Sequence, residues 1–146
     1  MPSDFYKPFS KHTEFLIEAY ENIIRSPVAK YITAMAHPFE AVCCPYPRHN
    51  LLTLISDDTY KKIFAMTAGS GIAVELNKEC LLEAEKNESE WEERIRMISI
   101  AKDMGCKFIF GSDAHSHSHF ENLNRENSLW KLLSITEADI HKIALI

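Results

Sequence analysis

Two hydrophobic periods alternate along the chain. In residues 12–25, Phe15, Leu16, Ala19, Tyr20, Ile23 and Ile24 recur at helical spacing, and Ser26-Pro27 ends the run. Residues 30–36 (KYITAMA) then read as a short buried strand. It stops at His37-Pro38, because proline has no N–H for a sheet and disfavours the α region in the residue before it. Ser56 is placed to cap a helix with Asp57 and Asp58 in its first turn and Tyr60, Ile63 and Phe64 on its buried face, ended by Gly69 or Gly71. Residues 72–76 (IAVEL) form the second predicted strand. Ser89 and Glu92 have capping-box spacing and open a helix with Trp91, Ile95, Ile98 and Ala101 along one face, closed by Gly105. Residues 107–110 are the third strand. A short helix over 127–133 follows, then a last one from Thr136 and Asp139 that carries Ile140, Ile143 and Ala144. Residues 39–55 read as an irregular insert, and the acidic string KECLLEAEKNESEWEER as a solvated loop running into a helix.

Helices alternating with strands in this order predict an α/β fold, a parallel sheet covered by helices. The 146 residues are one domain's worth of chain, without internal repeat or low-complexity linker. Hydrophobic content of 46% and charged content of 25% are ordinary for a globular protein. The net charge of -5 supplies no basic field for nucleic acid or an anionic membrane, so an anionic substrate needs local neutralisation. No apolar run of about 18 residues is present and the first ten residues lack an apolar signal core, so a cytoplasmic location is expected, with no membrane partner. Cys43, Cys44, Cys80 and Cys106 show no C-x-x-C spacing and are expected as reduced thiols, with a softer zinc site between His37 and the Cys43-Cys44 pair as an alternative.

Ligand-type side chains gather at the predicted strand ends. The third strand opens into Gly111-Ser112-Asp113-Ala114-His115, with His117 and His119 close behind. Alternation lets Asp113 and His115 point the same way if the backbone stays extended. His37 follows the first strand, and Glu75 and Asn77 mark the end of the second. In parallel α/β folds that edge is where active sites form. Each residue also has a plainer reading: His37 as a structural residue before proline, Glu75 as a lysine partner or helix cap, His117 and His119 as surface loop. A zinc site built from His115, His117 and His119 alone is a further alternative, since the loop that carries them is unconstrained.

The strings A-H-P (36–38), V-E-L-N (74–77) and F-G-S-D-A-H (110–115) resemble the later motifs of the PHP (polymerase and histidinol phosphatase) superfamily, most closely its histidinol-phosphatase-like members. The resemblance covers nearly the whole chain, and G-S-D-A-H is its most specific element. It implies the C-terminal part of a distorted (β/α)7 TIM-like barrel that holds two or three divalent metals (Zn, Mn or Fe) at the strand ends. The implied activity is metal-dependent phosphoesterase or phosphatase action on a small phosphorylated substrate. His37, Asp113 and His115 would be metal ligands, Asp113 and His115 the catalytic pair, and Glu75 and Asn77 supporting residues. His117 and His119 have no counterpart in the family.

The family's opening H-x-H motif, further histidines and bridging glutamate are absent. His12 and His49 lie in the wrong contexts to replace them. Three strands cannot close a barrel, so the expectation is a truncated PHP domain whose open edge is covered by the missing N-terminal half or by a second copy. In a completed site, clustered divalent ions would neutralise phosphate oxygens and acidify the attacking water. Arg48, in the insert after His37, would fork onto a substrate phosphate. The competing expectation is a catalytically inactive PHP-like binding or regulatory module. A nucleic-acid partner fits the family but has no basic stripe to support it.

Overall fold

The computed structural model describes residues 8–40, 49–114 and 131–144. Helix α1 (Phe9–Arg25) starts directly after Pro8 without a side-chain cap and ends with Arg25, whose charge suits the C-terminal end of the helix dipole. Its buried face differs from the expected stripe. His12, Thr13, Tyr20 and Ile24 are buried, whereas Phe15 and Ile23 stay exposed. The Thr13 hydroxyl donates to the Leu51 carbonyl (3.2 Å), and this bond, with Tyr20, turns the helix towards the core.

The first strand is much shorter than the apolar run suggested. After Ser26-Pro27 the chain makes a 3-10 turn at Ala29–Tyr31, closed by Ile32 N–H to Ala29 C=O (2.9 Å), and Tyr31 is 78% exposed. Strand β1 is Ala34–Met35 only. The turn that redirects the chain consumes the residues that would otherwise have extended it.

A one-turn helix, α2 (His49–Leu52), leads to α3 (Asp57–Ser70), which matches expectation closely. Ser56 Oγ accepts from Thr59 N–H (3.2 Å), Asp57 and Asp58 occupy the first turn, and Gly71 ends the helix with φ 74, a backbone region that costs glycine nothing. Tyr60, Ile63, Phe64 and Thr67 form its buried stripe. With Tyr20 and Phe39 they make an aromatic cluster: Tyr20 stacks on Phe39 with centroids 4.8 Å apart, and Phe39 meets Phe64 edge-on at 6.2 Å.

Strand β2 (Ala73–Asn77) runs directly into α4 (Lys78–Ala84), where the sequence had suggested a solvated loop. The helix is accounted for by Asn77, whose Oδ1 accepts the Cys80 N–H (3.0 Å) at N-cap spacing. Helix α5 (Glu88–Asp103) is capped by Asn87, which accepts from Glu90 N–H (3.1 Å), and not by Ser89. Asn87 has the extended backbone an N-cap needs, and Ser89 already lies inside the first turn. Ile98 and Ala101 are buried on α5 as expected, Trp91 and Ile95 pack at the margin of the core, and Arg94 is buried with them.

Strand β3 (Phe108–Gly111) completes a parallel sheet in the order β1-β2-β3. Thr136 and Asp139 make their reciprocal cap, but on a 3-10 turn (Glu137–Asp139) and not on the longer helix expected there. That turn delivers Ile140 to an isolated bridge with Phe108, and His141 N–H donates to Phe108 C=O (2.8 Å). Lys102 and Lys107 hold the same segment through the carbonyls of Leu133, Ser134 and Ala138.

Register sorts the sheet into two faces. Met35, Val74, Leu76, Phe108 and Phe110 face one way and belong to, or pack on, the helix-covered core. Ala34, Ala73, Glu75, Asn77, Ile109 and Gly111 face the other. Among the described residues no helix is long and apolar enough to cross a membrane.

Candidate functional site

The three strand ends do lie side by side. Parallel pairing of β1 with β2 and of β2 with β3 brings the His37 turn, Glu75 with Asn77, and Gly111 through Asp113 to one edge of the sheet. That edge is the C-terminal one, where the chain leaves each strand and side chains are released from the pleat.

The turn after β1 is tightly built. His37 has φ 47 and Phe39 has φ 57, two non-glycine residues in the left-handed region within three positions. Such backbone persists only where neighbours over-determine it. Here the His37 N–H donates to Glu75 Oε2 (2.8 Å), and the His37 carbonyl accepts from Glu40 N–H (3.0 Å). Pro38 and Phe39 are buried, and Glu40 pairs with Arg94 at 2.6 Å between side chains only 3% and 2% exposed. A buried pair of this kind is tolerated because each charge neutralises the other; alone, either would be costly.

On the imidazole, Nδ1 faces Asn77 Nδ2 at 3.5 Å and Cys80 Sγ at 4.0 Å. Because Asn77 Oδ1 is committed to the Cys80 N–H, its amide presents N–H towards His37. Asn77 therefore caps α4 and orients His37 at once. Glu75, considered from sequence as a lysine partner or helix cap, instead grips the His37 backbone.

Asp113 also has positive φ (49), in a turn where Ala114 N–H donates to Ser112 Oγ (3.3 Å). Aspartate tolerates this conformation better than most residues, so geometry and residue choice agree. The extended continuation that would align Asp113 with the next histidine is thus interrupted at Asp113 itself. His115, His117 and His119 lie outside the described residues, as do Arg48 and the Cys43-Cys44 pair.

The donor set suits a divalent metal in kind: His37 brings an imidazole, and Asp113 a carboxylate at the same edge. Among the described residues no group of three His, Cys, Asp or Glu side chains stands ready to hold an ion, and His115, the third expected ligand, lies outside them. A small pocket beneath the His37 turn is lined by Glu40, Glu75, Asn77, Cys80 and Arg94 together with apolar residues of α4 and α5. Cys80, Glu40 and Arg94 are the residues around the candidate site that sequence reasoning missed. Cys80 alone left a signal, its N-cap spacing from Asn77. Cys106 is a different kind of thiol: burial pushes it up to about 12, and it donates to the Phe64 carbonyl (3.3 Å) in the core.

Comparison with protein-family models, with curated proteins and with solved structures finds no match to the chain. The functional reading therefore stands on the residues and their arrangement.

Proposed function

We propose that the chain carries the later metal-ligand motifs of a PHP-type, metal-dependent phosphoesterase, a cytoplasmic enzyme that hydrolyses a phosphate ester of a small substrate. The observation that supports this most is the meeting of His37, Glu75 with Asn77, and Asp113 at the C-terminal ends of three adjacent parallel strands. Unrelated structural causes would have to coincide at one edge to give the same result. On this reading the sheet is a segment of a (β/α)7 barrel, and further ligands come from another segment or a second copy.

His37, Asp113 and His115 would hold Zn, Mn or Fe. When bound, divalent ions supply positive charge for the phosphate oxygens and acidify a water into a nucleophile. The chain's own residues do the rest. Asp113 contributes negative charge from a turn that fixes its backbone. His37 would contribute an imidazole, its backbone N–H held by Glu75. Arg48 would clamp a phosphate oxygen pair of the substrate.

The test is hydrolysis of a generic aryl phosphate by the chain, combined with its completing segment where one exists, in added Mn or Zn. Asp113→Ala and His115→Ala should each lower the rate by more than the about 10–100-fold that losing an outer-sphere partner costs. Undiminished hydrolysis in both variants sinks the proposal. The second reading is an inactive PHP-like binding module. A folded protein that binds no metal and hydrolyses no ester would select it.

A further inference from the structure

We infer that the His37 turn is clamped by two carboxylates, with Glu75 and the buried Glu40–Arg94 pair as positioning residues for His37, and that Gly111 is the residue whose missing side chain lets the clamp close. The Glu75 side chain straddles both neighbouring strands. Its Oε2 accepts the His37 N–H beyond β1, while its carboxyl group rests over Gly111 of β3. Glu75 lies opposite Ile109 and Asn77 opposite Gly111, so Glu75 reaches Gly111 along the diagonal of one face. A Cβ at position 111 would stand 2.6 Å from the Glu75 carboxyl carbon and 3.1 Å from its Cγ, and closest of all to Oε1. No real Cβ tolerates that, and the flexible Glu75 side chain is what would give way. A methyl group on β3 therefore acts on a backbone N–H beyond β1, two strands away.

The other half of the clamp holds the exit of the turn. Glu40 N–H closes onto the His37 carbonyl, and the Glu40 carboxylate is fixed by Arg94 of α5. Together the two carboxylates hold a histidine at φ 47, where it would not rest unaided. The placement of His37 is independent of its chemistry; its value as a metal ligand rests on the function proposed above. Glycine at position 111 thus has a cause specific to this site, since its nearest contact is the carboxylate that orients the candidate ligand.

The experiment uses the 146-residue chain, with amide NMR of His37 and titration with zinc chloride. Gly111→Ala should leave the melting temperature nearly unchanged, because only a side-chain end must move. It should shift the His37 amide proton towards its free position, speed its exchange with solvent, and weaken zinc binding by about 10–100-fold. Glu75→Gln keeps an acceptor oxygen and should preserve the bonded amide signature. Glu75→Ala should abolish it. In the Glu75→Ala background, adding Gly111→Ala should change nothing further, since the clash it acts through is gone. A wild-type His37 amide in Gly111→Ala, or additive effects in the double variant, overturns the inference. If the parent chain binds no zinc while the amide responses follow this pattern, the clamp stands and the ligand role of His37 falls.

Discussion

Adjacent residues of β2 live in different worlds. Val74 and Leu76 are buried in a core built from α3, α5 and the aromatic cluster, whereas Glu75 and Asn77 share the other face with Ala34, Ala73, Ile109 and Gly111. The packed face is explained by burial alone: apolar area removed from water contributes roughly 25 cal/mol per Å2. The opposite face is not. Its polar side chains are spent on the His37 N–H, the His37 imidazole and the Cys80 N–H, contacts that fix geometry and remove little apolar area from water. This strand alternates between filling space and holding a neighbour in place, and the second set shapes the candidate site.

That division can be broken by substitution. Leu76→Ala should cost about 2–5 kcal/mol in denaturant unfolding, the range for a large-to-small change in a core. Asn77→Ala, one position on, should cost about 1 kcal/mol through loss of the α4 cap, while also freeing the His37 imidazole. If Asn77→Ala proved the more destabilising, the polar face would be structural first and the comparison would fail. A finer test concerns the packed side, which holds a titratable group of its own. Burial lowers the pKa of His12 below its usual 6.5. The folded protein then keeps His12 neutral where the unfolded chain takes up a proton. Its contribution is complete above pH 6.5 and is lost as pH falls from there towards the folded pKa. Stability measured from pH 7.5 down to 5 should decline less in His12→Gln than in the parent.

Much of the scaffold was legible from sequence because it depends on local signals. Ser56, Gly71 and the Tyr60-Ile63-Phe64 stripe identify α3, and the apolar runs before Asn77 and Gly111 identify two of the three strands. Reading failed where the cause was distant. The 3-10 turn that shortens β1 follows from chain reversal, and the face that α1 buries follows from Thr13 meeting Leu51. α4 was missed because its cap sits on a strand residue already assigned to the site. In the site itself, His37, Glu75, Asn77 and Asp113 were found by residue type at strand ends. The grip of Glu75 on a backbone N–H, and the pairing of Glu40 with Arg94, carry no sequence signature, since they join residues 38 and 54 positions apart. The motif resemblance suggested a chemistry to test for these residues and carried nothing about these two contacts.

The parallel pairing has a kinetic consequence. Ala34 meets Ala73 and Val74 meets Phe108, so joining the strands closes chain segments of 39 and 34 residues (73 − 34 and 108 − 74). Helices α3 and α5 lie within those segments and can form on local signals, whereas strand pairing must wait for both closures. The bond from Glu75 to His37 and its contact with Gly111 need all three strands in register. The edge that carries the candidate site is thus expected to assemble last.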